Sequence, residues 1–245
     1  MERISRFRRA GYGGAVADAL ASLEVYDTIL STKFRPLRPD MILAGRALTV
    51  KVHTDPQVNG IPSTILPHAK EEMAEKLARY EQEGGHPQKR LMTTITQHSP
   101  GCILCYDCGG DLQAGHFGEM SSQLARAHGA YGLLIAGNCR DTRYVMQMEN
   151  WPVFCLGTAP NAHGGWSIIE IQTPIYLPGH LTHYVRVNPG DFIYGDMDGV
   201  IVIPRHLVDE TLLRVEAIFE RENAERTALA AGMDIDEVYR TYGIL

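Results

Sequence analysis

The chain has 245 residues and a mass of 27.2 kDa, enough for one large domain or two small ones with a full core. Hydrophobic residues make up 44% and charged residues 21%, which excludes wholesale disorder. No run approaches ~18 uninterrupted apolar residues, which excludes a membrane span, and the net charge of −6 argues against nucleic acid as the main partner.

The cysteine count and the first residues indicate where the protein works. Five cysteines are an odd number and too few for a disulfide scaffold. The first nine residues are basic but lack the apolar segment of a secretory signal. We therefore expect a cytoplasmic protein.

The first third of the chain predicts one helix, one strand and an insertion. Val16, Leu20 and Leu23 share one face of a helix over 14–23, and apolar alternation predicts a strand over 47–53. Residues from about 54 to 100 are predicted to be an insertion, a helical excursion from the core with a charged helix over 69–82. This insertion would lie beside the core or form an arm onto a neighbouring subunit.

From residue 102 onwards, short apolar strands alternate with helices. Strands are predicted at 102–106, 132–136 and 152–156, with several more between 166 and 204. Helices are predicted at 119–128 and at about 207–231. This pattern predicts a single mixed α/β domain over 1–245, with parallel strands joined through the helix at 119–128.

The stretch from Gly115 to Asp141 is the best candidate for chemistry. A glycine-containing turn leads into a helix, and a buried strand then ends at Arg140 and Asp141. A helix N-terminus suits an anion, and ligands collect at the carboxyl ends of strands in α/β sheets. We predict that Glu119, Arg140 and Asp141 come together. The alternative is a structural Arg-Asp loop, with Glu119 a solvated first-turn acid.

These residues also resemble a known family. Gly118-Glu119, twenty intervening residues and then Arg140-Asp141 resemble the signature of the class II pyruvate aldolases typified by 4-hydroxy-4-methyl-2-oxoglutarate aldolase. The same superfamily includes regulators of ribonuclease E activity, the RraA-like proteins. The segments 44–50 and 186–204 resemble it in order and spacing, so the likeness covers most of the chain outside about 54–100.

The resemblance implies a fold and an assembly. The fold would be a single-domain α-β-β-α sandwich of the swivelling-domain type. The chain would form a homotrimer or a hexamer, a dimer of trimers, with its sites near subunit interfaces.

The resemblance also implies a role for each residue of the motif. Asp141 would be the one direct protein ligand of Mg²⁺ or Mn²⁺, and Glu119 would hold a metal-bound water. Arg140 would contact the keto oxygen and carboxylate of the substrate. The backbone that cradles the pyruvyl carboxylate would be that of Gly118, Glu119, Met120 and Ser121.

The expected function is that of a metal-dependent lyase acting on a small 2-keto acid. Retro-aldol cleavage of a 4-hydroxy-2-keto acid and decarboxylation of oxaloacetate both leave a pyruvate enolate, with Arg140 and Glu119 as catalytic residues. One alternative is a non-catalytic protein that binds and regulates an RNA-degrading enzyme. Another is a different metal-assisted cleavage, such as that of a keto sugar acid. The natural substrate and the preferred metal stay open.

Two further patterns permit more than one interpretation. Cys102, Cys105 and Cys108 have a spacing that can hold a metal, but alternation in a strand favours a role as buried small hydrophobic residues. His116 lies in the glycine-containing turn, where it would either face the substrate or be a satisfied structural histidine.

Overall fold

The computed structural model describes residues 2–54, 74–75, 78–79, 81–82, 85–162 and 166–243. Its helices are α1 (Glu2–Ala10), α2 (Gly13–Ala21), α3 (Pro87–His98), α4 (Glu119–Ala127), α5 (Thr142–Val145), α6 (Val208–Ala230) and α7 (Ile235–Tyr242). Its strands are β1 (Arg35–Pro36), β2 (Leu43–Thr54), β3 (Ile103–Asp107), β4 (Gly115–Phe117), β5 (Gly132–Cys139), β6 (Val153–Thr158), β7 (Trp166–Ile171), β8 (Ile175–Pro178), β9 (Tyr184–Val187), β10 (Phe192–Gly195) and β11 (Val200–Ile203).

A nine-stranded sheet organises the molecule. Seven strands follow the order β1-β6-β5-β3-β2-β10-β11, while β4 pairs with β5 and β7 pairs with β2. Strands β2, β3, β5 and β6 run parallel, with Ala47 opposite Ile103 and Ile103 opposite Gly132. The carboxyl ends of the parallel strands therefore lie along one edge, which includes the end of β5 at Cys139.

Three apolar clusters fill the spaces around this sheet. The first packs α3, α4 and α5 on one face, through residues such as Leu91 and Ala125. The second joins the β8–β9 hairpin and β10 to the opposite face of β3, β5 and β6, through residues such as Leu177 and Leu134. The third packs α1, α2 and α6 on β10 and β11, with Phe7 stacked on Phe192 at 4.6 Å. Helices thus cover both outer sides of a curled sheet, and the predicted α-β-β-α sandwich is confirmed.

Burial explains why these segments form strands and helices. All eight residues of β5 are buried, as expected for a parallel strand covered on both faces. The longest helix, α6, has only five buried residues among 23, so the rest of its surface is partly or fully exposed. Among the described residues, no helix is long and apolar enough to cross a membrane.

The structure adds elements that periodicity did not predict. Residues Glu2–Ala10 form α1, which buries Phe7 and Ala10 while Arg6 pairs with Glu216 of α6 at 2.6 Å. The glycine-containing turn includes the short strand β4, and α3 occupies part of the predicted excursion. Most of that excursion and much of the predicted helix over 69–82 lie outside the described residues.

Candidate active site

The site is built where two neighbouring strands end. Strand β4 runs parallel to β5, with Phe117 opposite Cys139, and the N–H of Arg140 donates to the carbonyl of Phe117 at 2.9 Å. Gly118 then caps α4, while Arg140 and Asp141 leave β5. This pairing brings the start of α4 beside the Arg-Asp pair, although twenty residues lie between Glu119 and Arg140 in the sequence.

Gly118 is required here for space. Its backbone is extended, with φ −120° and ψ −169°, a conformation open to any residue. A Cβ at this position would overlap Oδ2 of Asp141 and lie 3.0 Å from Cγ of Arg140. The missing side chain therefore lets the Arg-Asp pair pack directly against the first turn of α4.

Asp141 adopts an unusual backbone conformation that turns its side chain towards α4. Its φ of 54° and ψ of 29° lie in the left-handed region, which Asp tolerates better than most residues but which still costs energy. Although it precedes α5, its carboxylate makes no cap bond there. Oδ2 instead accepts the N–H of Glu119 at 3.2 Å and Nε–H of Arg140 at 3.3 Å.

The first turn of α4 supplies further donors. The first intrahelical bond joins the N–H of Ser122 to the carbonyl of Gly118 at 3.0 Å, so the N–H groups of Glu119, Met120 and Ser121 have no acceptor within the helix. Asp141 takes one of these three. The side chain of Met120 is 74% exposed, so this residue can contribute to the site through its backbone.

The charged groups are open to solvent. The side chains of Arg140 and Asp141 are 33% and 37% exposed, respectively. Glu119 lines a neighbouring cavity of about 400 Å³. The same cavity is lined by Gln123 and Arg126 of α4 and by Tyr144 of α5. A small molecule in this cavity would lie beside the first turn of α4, while Arg140 and Asp141 are reached through their own exposed surface.

The donor set suits a divalent cation that keeps most of its water. Oδ1 of Asp141 accepts no hydrogen bond from any residue the structure describes, so it is available as a ligand. Mg²⁺ is commonly held by one or two carboxylates while waters fill its other positions. Within the described ranges, no group of three or more His, Cys, Asp or Glu residues could hold a metal ion. The residues present therefore fit an open site with one carboxylate ligand, and not an all-protein cage.

Comparison with known proteins gives this arrangement a family. A family model described as RraA-like, Aldolase/RraA, matches residues 14–202. The chain belongs to the RraA-like family. The match includes every residue of the site and leaves out α1, α6 and α7.

The chain is also similar to named proteins and, in its fold, to a solved structure. The chain is 28% identical over 173 residues to a putative 4-hydroxy-4-methyl-2-oxoglutarate aldolase of Halalkalibacterium halodurans, covering 71% of this chain and 80% of that protein. It is 25% identical to protein DlpA of Legionella pneumophila over 93% of this chain, but spans only 32% of DlpA. Streptomyces coelicolor RraAS2, described as an unusual member of the RNase ES inhibitor RraA protein family, shares the fold with a TM-score of 0.66 at 19% identity, over 93% of this chain and 95% of that one.

Sequence reasoning missed the polar contacts that brace the loop before β4 in this RraA-like chain. Nε2 of His116 lies 3.1 Å from Oδ2 of Asp111, and its Nδ1 accepts the N–H of Asn138 at 3.4 Å. These partners assign the proton to Nε2. Asn138 Nδ2 donates to the carbonyl of Leu112 at 2.7 Å. His116 is 4% exposed, so it braces the loop as a satisfied structural histidine. A polar Asn inside an apolar buried strand was the available signal.

The cysteines take the structural role favoured by the sequence. All five are buried and free. Cys102 and Cys108 pack in the cluster under α3 and α4, whereas Cys105 packs on the other face of the sheet. Burial raises the pKa of Cys102 to about 12 and that of Cys155 to about 11. The prediction that the cysteines at 102, 105 and 108 act as buried small hydrophobic residues is confirmed.

Proposed function

We propose that this RraA-like protein is a divalent-metal-dependent lyase that cleaves a 4-hydroxy-2-keto acid to pyruvate and decarboxylates oxaloacetate through the same enolate. One observation supports the proposal above all others. The carboxylate of Asp141, the guanidinium of Arg140 and the N-terminus of α4 meet within hydrogen-bond distance at an open surface.

Binding of the substrate is assigned to the first turn of α4 and to Arg140. The free N–H groups of Met120 and Ser121, together with the positive end of the helix dipole, would receive the carboxylate beside the keto group. Arg140 offers a planar set of donors to the keto oxygen. The contact with Arg140 strengthens as negative charge develops on the keto oxygen, which is how such a donor lowers a reaction barrier, whereas the helix N-terminus holds the carboxylate throughout the reaction.

The bond-breaking step removes one proton from the 4-hydroxyl and breaks the C3–C4 bond. As the hydroxyl loses its proton, its oxygen forms a carbonyl with C4, and the C4 fragment leaves as a carbonyl compound. The electron pair of the broken bond passes into an enolate whose negative oxygen faces Arg140. Protonation at C3 then gives pyruvate. Glu119, which lines the adjacent cavity, is assigned to hold the water molecule that accepts the hydroxyl proton and returns a proton to C3.

Asp141 would hold Mg²⁺ or Mn²⁺. When bound, the cation supplies Lewis-acid stabilisation of the charge that develops on the keto oxygen. Carboxylate and water ligands suit both ions.

The proposal is tested by pyruvate release from a panel of 4-hydroxy-2-keto acids and oxaloacetate. Pyruvate is measured with a coupled dehydrogenase after chelation and after addition of Mg²⁺ or Mn²⁺. We expect turnover only with metal. Failure to release pyruvate from any substrate with either metal would contradict the lyase assignment.

Asp141→Asn is the most informative variant. Asn also tolerates the left-handed conformation and keeps one oxygen acceptor, so the fold should survive while the ligand charge is lost. We expect loss of metal-dependent turnover. Asp236→Asn, an exposed change in the first turn of α7, is the control and should leave turnover unchanged. Near-normal rates with Asp141→Asn and with Asp141→Ala would show that Asp141 is not the metal ligand.

A second candidate is a non-catalytic regulator that binds an RNA-degrading enzyme. The shared fold with RraAS2 supports it, because that protein is described as a member of an RNase ES inhibitor family. This function would be favoured if the purified chain inhibited a ribonuclease and released no pyruvate with any metal.

We further propose assembly into a homotrimer or a dimer of trimers. Met120 of α4 and Tyr144 of α5 are 74% and 58% exposed, and a contact with a second copy that covered them would remove their apolar surface from water. Light scattering on the purified chain gives the oligomer mass. A monomer at micromolar concentration would contradict this proposal.

A further inference from the structure

A second cavity lies at the opposite end of the parallel strands from Asp141. Arg46 lines it and immediately precedes Ala47. Ala47 lies opposite Ile103 of β3, and Ile103 in turn lies opposite Gly132, the first residue of β5. Arg140 follows the last residue of the same eight-residue strand. At 3.3 Å of rise per residue, the length of β5 places about 25 Å between the two ends.

The charges of this cavity are unbalanced. It has a volume of about 760 Å³ and is lined by three arginines, Arg3, Arg46 and Arg205, and by one acidic residue, Glu2. Arg3 is neutralised by a bidentate pair with Asp209, at 2.6 Å and 2.7 Å. Arg46 and Arg205 are exposed, and no carboxylate in the described part of the chain forms an ion pair with either.

The backbone beneath Arg205 is fixed by a buried carboxylate. Asp191 is 4% exposed, and its Oδ1 accepts the N–H of Arg205 at 3.0 Å while its Oδ2 accepts the N–H of Asn188 at 2.8 Å. Asp191 is therefore engaged with the backbone. The guanidinium of Arg205 has no hydrogen-bond or ion-pair partner in the ranges that the structure describes, so it is available to an external anion.

A helix N-terminus adds to the positive side of the cavity. Helix α6 begins at Val208, a cavity residue, and its Leu207 cap provides no side-chain acceptor. The first N–H groups of a helix attract negative charge, and guanidinium groups bind carboxylates and phosphates in bidentate fashion. Among the described residues, this cavity therefore holds two guanidiniums without a carboxylate partner, although the chain has a net charge of −6.

We propose that this cavity binds a small anion with two charged groups, one of which is held by Arg46 and the other by Arg205. Dicarboxylates and diphosphates share this chemistry. The site is separate from the Asp141 site and does not depend on the function proposed for it.

The test is calorimetric titration of the full chain with succinate and, separately, with pyrophosphate. Divalent cations are chelated so that neither anion binds through a metal at Asp141. Inorganic phosphate, with a single anionic group, is the reference and should bind more weakly than whichever two-group anion is preferred. Binding should weaken as salt rises, because screening acts on exposed charges.

Variants locate the site. Arg46→Gln and Arg205→Gln should each weaken binding about tenfold, the effect of losing one charge-assisted contact. Arg46→Lys keeps the charge and should lose less than Arg46→Gln. Arg186→Gln, an exposed arginine on β9 outside the cavity, and Arg140→Gln at the other site should bind like the wild type.

Three outcomes would overturn the proposal. The first is failure of both anions to bind the wild type at millimolar concentration. The second is a doubly substituted Arg46→Gln, Arg205→Gln protein that binds like the wild type. The third is loss of binding in Arg140→Gln, which would move the anion to the Asp141 site. Thermal unfolding of each variant separates loss of binding from loss of fold.

Discussion

Replacement of Gly118 by alanine tests how tightly the Arg-Asp pair must pack against α4. Alanine suits the extended backbone of Gly118, so the change adds no backbone strain. The whole effect comes from the added Cβ, which would overlap Oδ2 of Asp141 and lie 3.0 Å from Cγ and 3.1 Å from Nε of Arg140. Both side chains must therefore move away from the helix N-terminus.

The size of the effect follows from that displacement. Restoring normal contact requires a shift on the order of 1 Å, and a misplacement of this size at a reacting centre can cost about 100-fold in rate. Overpacking of this kind typically costs about 1–3 kcal/mol of stability. We expect the Gly118→Ala protein to fold, to unfold a few degrees earlier, and to lose about 100-fold in metal-dependent pyruvate release and affinity for Mn²⁺.

The assays are coupled pyruvate detection, Mn²⁺ titration followed by electron spin resonance, and thermal unfolding. Gly14→Ala is the matched control. It lies on the exposed side of α2, where its Cβ would meet only the ring of Tyr12 at 3.2 Å and alanine favours the helix. Wild-type turnover and Mn²⁺ affinity in Gly118→Ala would refute the claim that this packing positions Asp141.

Three further predictions concern the scaffold. The Arg6 guanidinium holds the pKa of the Glu216 carboxyl below its ordinary 4.5. The stability that this ion pair adds to the folded chain is therefore complete above about pH 4.5 and is lost as the pH falls through the lowered pKa. Glu216→Gln should reduce the fall of the unfolding free energy at acid pH. Because burial raises their pKa, the five cysteines should react with a thiol reagent only after denaturation, and rapid modification of the native chain would contradict this. Tyr194→Phe removes the buried hydroxyl that donates to the carbonyl of Gly11 at 2.7 Å and should cost about 1–3 kcal/mol by chemical denaturation; an unchanged midpoint would contradict it.

Sequence reasoning works best where one physical requirement controls the residue pattern. The apolar run beginning at Gly132 predicted a buried strand because a parallel strand with both faces covered has no place for polar side chains. The helix predicted over 119–128 is observed as Glu119–Ala127, since the preceding glycine and the first-turn acid mark its start. The prediction that Glu119 and Arg140 lie close together then required only that β4 and β5 be neighbouring strands, which they are.

The remaining features depend on contacts between distant residues. The helix over Glu2–Ala10 is stabilised by Arg3 and Arg6, whose partners lie on α6 more than 200 residues away. The left-handed conformation of Asp141 is selected by hydrogen bonds from Glu119 and Arg140, and periodicity carries no information about it. The His116 brace is likewise visible only once the loop is folded against β5.

The local charges explain why a metal would act already at the binding step. Glu119 and Asp141 against Arg140 leave the immediate site with one net negative charge, on a chain whose net charge is −6. A keto-acid anion approaching this surface meets repulsion that the α4 dipole offsets only in part, since that dipole is equivalent to roughly half a charge. A divalent cation held by the free oxygen of Asp141 would reverse the sign of the charge at the site. Under the proposed function, chelation should therefore raise the dissociation constant of the keto acid itself as well as stop its cleavage, which separates this mechanism from one in which Arg140 and the helix bind the substrate unaided.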